Sequence, residues 1–407
     1  MSASAKHTPI DVVVVGAGPA GLFAALALDE AGFRVAVVGA LPGATSDRRT
    51  SALLDGSVLA LKRLGIWEQL APHAAPLRVM RLVDATGSLL RAPLFEGRST
   101  EIGLDAFGYN IANDDIGRVL LAGARSRGIT LIDGLVTGID LTLGATLTLA
   151  SGETLAAAVV AGADGRRSAV RAAAGIDVVT TRYPQTAVTA TFRHSRPHGD
   201  VSTEFHTPTG PFTLVPLPGD RSSLVCVVTP READTLLALD DAAFARMIEK
   251  RSQAILGKVT VEPGRGRYEL ASVTPRRFAV PHAPLVGEAA HVVPPIGAQG
   301  LNLGLRDGAA LADCLAEARA AGEPLGGPHA MDAYDRARRA DIVSRTFAID
   351  LLNRSLLSPF MPVHLARGAG LWFLDQIGPL RRAFMREGLQ PSGASPRLMR
   401  PEARDAA

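Results

Sequence analysis

Three glycine-rich stretches carry the residue types and spacings from which chemistry can be built. The first is Gly16-Ala17-Gly18-Pro19-Ala20-Gly21, set directly after the apolar run IDVVVV at 10–15. A GxGxxG string between a strand and a helix turns tightly, lets the backbone approach a pyrophosphate and packs the helix close to the strand. The second is Gly162-Ala163-Asp164-Gly165-Arg166-Arg167-Ser168, with Arg171 one helical turn beyond. An Asp-Gly turn can aim a carboxylate at a hydroxyl, and Arg171 places a cation for a phosphate or carboxylate partner. The third is PLVGEAAHVVPPIGAQGLNLGLRDGAAL, residues 284–311. Gly287-Glu288-Ala289-Ala290-His291 reads as a tight turn after a buried strand. Pro294-Pro295 is stiff and donates no N–H, and Gly297-Ala298-Gln299-Gly300 opens a helix. Glycines 287, 297, 300 and 304 are expected to let the backbone approach a flat ligand, since no Cβ intervenes. The first-turn N–H groups suit an electron-rich ring edge or an oxyanion.

The elements that must position these stretches follow from pattern. Residues 10–15 form a run typical of a parallel strand buried on both faces. Residues 22–31 have helical composition, Gly32 stops the helix, and 33–38 is the next strand. A ribose-binding Asp or Glu is expected at the end of that strand. Gly39 stands there, so Asp47 and Arg49 are the nearest substitutes. Residues 57–64 read as a helix. Residues 78–84 and 89–94 flank Thr86-Gly87 as a hairpin. Asn113-Asp114-Asp115 starts a helix running to 126 that carries Arg118. Short strands are expected at 129–132, 135–141, 145–149, 153–156 and 159–161. From 178 to 275 the chain alternates Val, Thr and Phe with turns, which predicts a second sheet with strands at 187–192, 202–206, 212–217 and 222–228 and little helix before 240–256. Residues 331–389 read as helical.

The 407 residues include 47% hydrophobic and 20% charged positions, enough for a large core and wrong for a disordered chain. A formal net charge of +3 gives no electrostatic case for nucleic acid. Cys226 and Cys314 form no CxxC pair, which fits a reducing compartment such as the cytoplasm. No metal-ligand spacing occurs among the nine histidines, and no run of about 18 apolar residues predicts a membrane span.

The three stretches, in this order, are similar to the fingerprints of the FAD-dependent aromatic hydroxylases, the single-component flavoprotein monooxygenases. The third resembles their second flavin-contacting motif, which usually begins Gly-Asp; Glu288 stands here in place of the Asp. DRRTSAL (47–53), YPQTAV (183–188), HTPTGPFTLVPLP (206–218), DAYDRARRADI (332–342) and the stretch 364–389 resemble the ubiquinone-pathway hydroxylases in particular. The resemblance implies an α/β fold like that of p-hydroxybenzoate hydroxylase. A Rossmann-like FAD-binding domain would be assembled from 1–75, 110–177 and 276–330. A mixed β-sheet substrate domain would span 76–109 and 178–275, followed by a helical region at 331–390 and a loose tail at 391–407.

It also implies the site. FAD would be held by Gly16, Gly18, Pro19, Ala20, Gly21, Arg49, Arg118, Asp164, Gly287, Glu288, Pro294, Gly297, Gln299, Gly300, Leu301 and Asn302. Glu288 would bond the ribityl chain. Pro295, with Pro294, Gly297 and Gln299, would wall the reacting edge of the flavin. No acid or base is assignable, and His291 is expected to serve the turn. The implied reaction is ring hydroxylation with NAD(P)H as a transient co-substrate and O₂, on a polyprenylated phenol of the ubiquinone pathway. An apolar channel from the sheet to residues 371–380 would take the prenyl tail at a membrane surface or within a biosynthetic complex. Two alternatives stay open: hydroxylation of another small aromatic, and a flavin-binding scaffold without turnover. A halogenase signature is missing, since Trp67 and Trp372 are the only tryptophans.

Overall fold

The computed structural model describes residues 10–43, 47–87, 93–295, 297–357, 370, 376–389 and 395–401. Its first sheet grows from the run at Ile10–Val15, whose Val12, Val13 and Val14 are fully buried. Such β-branched residues fit a strand covered on both faces. The strand pairs in parallel with Val35–Val38 on one side and Thr154–Gly162 on the other. Thr130–Ile132 extends one edge in parallel, and Ala145–Leu149 and Val136–Asp140 extend the other antiparallel. The two expected strands at 153–156 and 159–161 are one continuous strand, because the same ladder runs through Ala157 and Ala158.

The first helix, Pro19–Glu30, is apolar nearly all round, and Leu22 through Leu28 are all buried. It lies between the sheet and the long helix Gln299–Ala320. Small residues permit this three-layer contact. A Cβ on Gly308 would lie 2.8 Å from the Cα of Ala24, and one on Gly304 would lie 3.1 Å from the Cβ of Ala20. Each large side chain buried here, such as Phe23 or Leu26, contributes about 1.5–3 kcal/mol.

The second sheet runs in the order Val259–Val261, Val178–His194, Arg221–Val228, Gly210–Leu217, Val201–Thr207, Val79–Asp84, Phe95–Arg98, with Gly266–Pro275 also paired to Val178–His194. One face buries Phe192, Phe205, Phe212 and Leu224 against Phe244 and Ile248. Those last two lie on Asp241–Arg251, which packs beside a second helix, Pro230–Leu237. This second helix was not expected. Its signal was present in Thr229, whose hydroxyl caps the Glu232 N–H, followed by Pro230 at the first helical position. Val79–Asp84 pairs antiparallel with Phe95–Arg98; of the strand expected at 89–94, residues 89–92 lie outside the described residues.

A small third sheet joins Thr50–Leu54, Gly108–Ala112 and Ala75–Leu77. It ties segments expected in different domains, at 1–75 and 76–109, into one ladder. The C-terminal part holds helices Pro328–Leu357 and Gly378–Leu389. The apolar stretch at 371–374 lies outside the described residues. Within the stretch expected to be loose, 395–401 packs down instead. Met399 is buried in the first core, and Arg397 pairs with Glu317 at 2.8 Å. Among the described residues no helix is long and apolar enough to cross a membrane, and no group of three or more metal-ligating side chains is found.

Candidate active site

The loop after Ile10–Val15 divides its glycines by task. Gly16 has φ +114°, and a Cβ there would lie 2.2 Å from the Ala163 carbonyl oxygen. A Cβ on Gly21 would lie 2.0 Å from the Gly16 oxygen. Both glycines are required by the protein's own packing. Gly18 is different: a Cβ there meets nothing within 4 Å. It caps the first helix in an extended conformation with no side-chain cap, and Pro19 occupies the first helical position. The N–H groups of Ala20 and Gly21 therefore sit at a helix N-terminus whose partial charge favours an anion. The missing carboxylate at Gly39 has a physical reason. Its Cβ would lie 2.9 Å from the Ala17 nitrogen in a positive-φ backbone, so this strand end is pressed against the loop.

Asp164 sits where Thr154–Gly162 ends. One of its oxygens accepts from the Ala169 and Val170 N–H groups at 2.6 and 3.2 Å. The other is buried and has no hydrogen-bond partner among the described residues. A buried carboxylate oxygen left single is costly, and a ligand hydroxyl is a fitting donor for it. Arg171, expected to offer a cation to a phosphate or carboxylate partner, holds backbone carbonyls in the fold. Its guanidinium donates to the Ala289 oxygen at 2.9 Å and the Arg166 oxygen at 2.7 Å, bracing the Asp164 turn against the Gly287 turn.

Gly287–Ala289 forms one 3-10 turn. Gly287 has φ +63°, and a Cβ there would lie 2.9 Å from the Ala20 Cβ. Gly287 and Gly304 thus make room for the first helix and for each other, not for a flat ligand. Gly297 and Gly300 are exposed and keep the expected freedom, since an added Cβ meets nothing nearer than 4 Å. Between them Ala298 adopts the left-handed conformation with φ +56°, uncommon for a residue with a Cβ.

Asn302 and Gln299 are committed to the protein. The Asn302 oxygen accepts from the Leu54 N–H and the Ser57 hydroxyl, and its amide donates to the Ala52 and Ala298 oxygens. All four of those side-chain bonds lie within the fold, so any contact it makes to a ligand is through its backbone. The Gln299 side chain turns toward Gly388 and Arg345 and does not wall the cavity. Leu301 is half-buried against the first core. Arg118 is an exposed side chain bonded to Asp115 at 2.7 Å and His73 at 3.2 Å, away from the cavity walls.

A cavity of about 760 Å³ lies between the loops and the second sheet. Arg49, Asp164, Glu288, Pro294 and Pro295 line one side; Thr189, Ser223, Val225 and Tyr268 line the other. Arg49 forks onto Asp47 at 2.8 and 2.7 Å, lies 5.3 Å over the Tyr268 ring, and has Glu288 3.9 Å away. Burial works against the Asp47 charge, but the bonds from Arg49 and Asn113 outweigh it and hold the carboxyl below its usual range. Arg48, Arg166, Arg167 and Arg267 also border the cavity, against the carboxylates of Asp164, Glu269 and Glu288, so the site carries a positive excess. The sheet residues Thr189, Ser223 and Tyr268 were missed, because strand alternation alone does not say which face meets a ligand.

The sequence profile of the FAD binding domain family matches residues 9–346. Ubiquinone hydroxylase UbiL of Rhodospirillum rubrum is 36% identical over 401 residues, covering 96% of this chain and 92% of that protein. The 3-demethoxyubiquinol 3-hydroxylase of Escherichia coli is 30% identical over 395 residues, covering 94% and 99%. Among solved structures, p-nitrophenol 4-monooxygenase PnpA from Pseudomonas putida superposes with a TM-score of 0.75 at 22% identity, covering 94% of this chain and 98% of that one. The last likeness bears on the fold: an α/β flavoprotein architecture with a mixed sheet and C-terminal helices.

Proposed function

The chain belongs to the FAD binding domain family and, within it, to the family of the ubiquinone hydroxylases; from that premise we propose that it hydroxylates the ring of a polyprenylated phenol, with NAD(P)H and O₂ as co-substrates. It is an FAD-dependent monooxygenase. When bound, FAD would supply the redox chemistry by which two electrons from NAD(P)H and one O₂ give a ring hydroxyl and a water. The protein supplies placement and dryness. The Gly16–Gly21 loop receives the pyrophosphate at open Gly18, and Asp164 accepts a cofactor hydroxyl on its free oxygen. Glu288 reaches the ribityl chain, with Arg49 fixed beside it by Asp47. Pro294 and Pro295 present a wall without N–H donors, which limits water at the reacting edge. The ring lies against Thr189, Ser223 and Tyr268 on the opposite wall.

The observation that carries this reading is the cavity of about 760 Å³ between the cofactor loops and the uncovered face of the second sheet. It has room for a ring beside a flavin edge. The segments 1–75, 110–177 and 276–330 serve the cofactor on this reading, and 76–109 with 178–275 serve the substrate. The prenyl tail adds binding by area, about 0.8 kcal/mol per buried CH₂, so several isoprene units outweigh the ring. Catalysis then takes place at a membrane surface or beside a partner that presents the lipid.

The test is a tail-length series of phenols in detergent or liposomes, scored by NAD(P)H oxidation coupled to hydroxylated product. The specificity constant is expected to rise steeply with tail length. An equal constant for the tail-free phenol overturns the prenylated substrate and leaves a hydroxylase of small aromatics. NAD(P)H oxidation that no phenol stimulates leaves only the scaffold.

A further inference from the structure

The helix Pro328–Leu357 sends Arg338, Asp341 and Arg345 from one face, at spacings of three and four residues, into the interface with the long helix. Asp341 accepts from Arg345 Nε at 2.8 Å, from Arg338 Nη1 at 3.0 Å and from Arg306 Nη1 at 3.0 Å. All four side chains are at most 10% exposed. With Asp307 included, three guanidinium groups meet two carboxylates. The cluster is buried and has an excess of cation.

Arg345 directs that excess at two things. Its Nη1 donates to the Gln299 side-chain oxygen at 3.0 Å. Its two terminal nitrogens reach the carbonyl oxygens of Gly388 and Glu387, both at 3.4 Å. Those carbonyls close the C-terminus of Gly378–Leu389, where the helix dipole is negative. Gln299 in turn donates to the Gly297 oxygen at 3.0 Å and the Gly388 oxygen at 3.4 Å. One guanidinium and one amide therefore clamp the end of the last helix to the loop that carries Gly297, strained Ala298 and Gly300. The far side of the same helix is fixed by Arg381 on Glu101 at 2.7 Å and by Met385 and Leu389 packed with Leu54 and Phe107.

We propose that Arg345 is a positioning residue for the cofactor's reacting edge: through Gln299 it latches the last helix onto the 297–300 loop and holds that loop in its ligand-facing shape. The inference rests on the reading that this loop meets the flavin. Left-handed Ala298 costs about 1–2 kcal/mol and persists only where the surroundings over-determine it. The Asn302 amide holds the Ala298 oxygen at 2.6 Å, and the Gln299 and Arg345 bonds hold the flanking Gly297 and Gln299.

The experiment compares Arg345→Ala, Arg345→Lys, Gln299→Ala and the double variant Arg345→Ala/Gln299→Ala. Two quantities are read: amide hydrogen exchange of peptides covering 297–302 in the FAD-free protein, and FAD affinity from quenching of flavin fluorescence. Arg345→Lys keeps the charge facing Asp341, so it removes the fork with the least harm to folding. Both single alanine variants and Arg345→Lys are expected to exchange faster at 297–302 and to bind FAD about tenfold more weakly. The double variant is expected to be no weaker than either single one. Unchanged exchange at 297–302 overturns the latch. Faster exchange with unchanged FAD affinity overturns the assignment of this loop to the cofactor. Additive losses in the double variant show that Arg345 and Gln299 act separately, and they overturn the proposal as well.

Discussion

The Nε2 of His291 lies 2.6 Å from an Asp307 carboxylate oxygen, with both side chains buried. The same oxygen accepts the Gly287 N–H at 2.9 Å, and the other oxygen accepts Arg338 Nε at 2.6 Å. Three elements thus meet on one carboxylate: the turn that presents Glu288, the long helix and the Pro328–Leu357 helix. His291 is 2% exposed and is not among the cavity walls, so its work is to hold the turn, not to move a substrate proton.

That carboxylate gives a pH prediction. Burial raises the Asp307 pKa, but His291, Arg338 and the Gly287 N–H outweigh burial and leave it below its ordinary value. A depressed carboxyl stabilises the fold above its unfolded value, about 3.9. The contribution is lost as pH falls through the lower folded value. Asp307→Asn leaves Arg338 without this partner and is expected to cost about 3–5 kcal/mol at neutral pH. The gap to the parent protein should narrow below pH of about 4. Urea midpoints across that range measure it, and a gap independent of pH would mean that Asp307 is not the charged partner.

The glycines of the first loop separate folding from binding. Gly18→Val places its side chain in open space with φ −70°, which valine tolerates. The variant is expected to melt within a few degrees of the parent apoprotein and to lose FAD. Gly21→Ala drives a Cβ into the Gly16 oxygen at 2.0 Å. It should destabilise the apoprotein by about 1–3 kcal/mol before binding is considered. Melting and FAD retention on both variants decide it; equal loss of stability in the two would show that Gly18 is not facing a ligand.

Much of this was legible because the local signals agree with the fold. IDVVVV followed by GAGPAG has few structural solutions, and it gave a parallel strand, a turn and a helix. Asp164 stood out through the order of its Asp-Gly turn between the other two glycine-rich stretches, since such a turn alone is common. What stayed hidden depends on partners distant in sequence. Nothing local distinguishes Gly287, which admits Ala20, from Gly300, which faces open space. The same holds for Asn302, whose polar groups are taken up by Ala52, Leu54 and Ser57 some 250 positions away. Asp335, Arg336, Arg338, Arg339 and Asp341 set charges all round the helix, so no one face stands out in the sequence. That Arg338 meets the buried Asp307 was decided by packing.

Glu288 stands at the cavity with its side chain 57% exposed and Arg49 3.9 Å away. This geometry leaves its oxygens available to a ribityl hydroxyl. Glu288→Ala is expected to lower FAD affinity by one to two decades, the equivalent of about 1.5–3 kcal/mol for a charged hydrogen bond. Glu288→Asp, shorter by one methylene, is expected to retain most of it. Affinities read by flavin fluorescence and identical across all three proteins would remove Glu288 from the cofactor site.

Asp164 allows the sharpest separation, because its two oxygens do different jobs. One holds the Ala169 and Val170 N–H groups and so starts the helix Ala169–Ala173; the other is buried with no partner among the described residues. In Asp164→Asn the amide oxygen can keep the helix start, while the NH₂ occupies the place of the free oxygen. That group donates and cannot accept a hydroxyl hydrogen. The apoprotein should therefore fold nearly as before, and FAD affinity should fall by about ten- to a hundredfold. Asp164→Ala removes both functions and should lose about 1 kcal/mol or more of apoprotein stability in addition. If Asp164→Asn binds FAD as tightly as the parent, the free oxygen does not receive a cofactor hydroxyl. The carboxylate would then serve only to cap its helix.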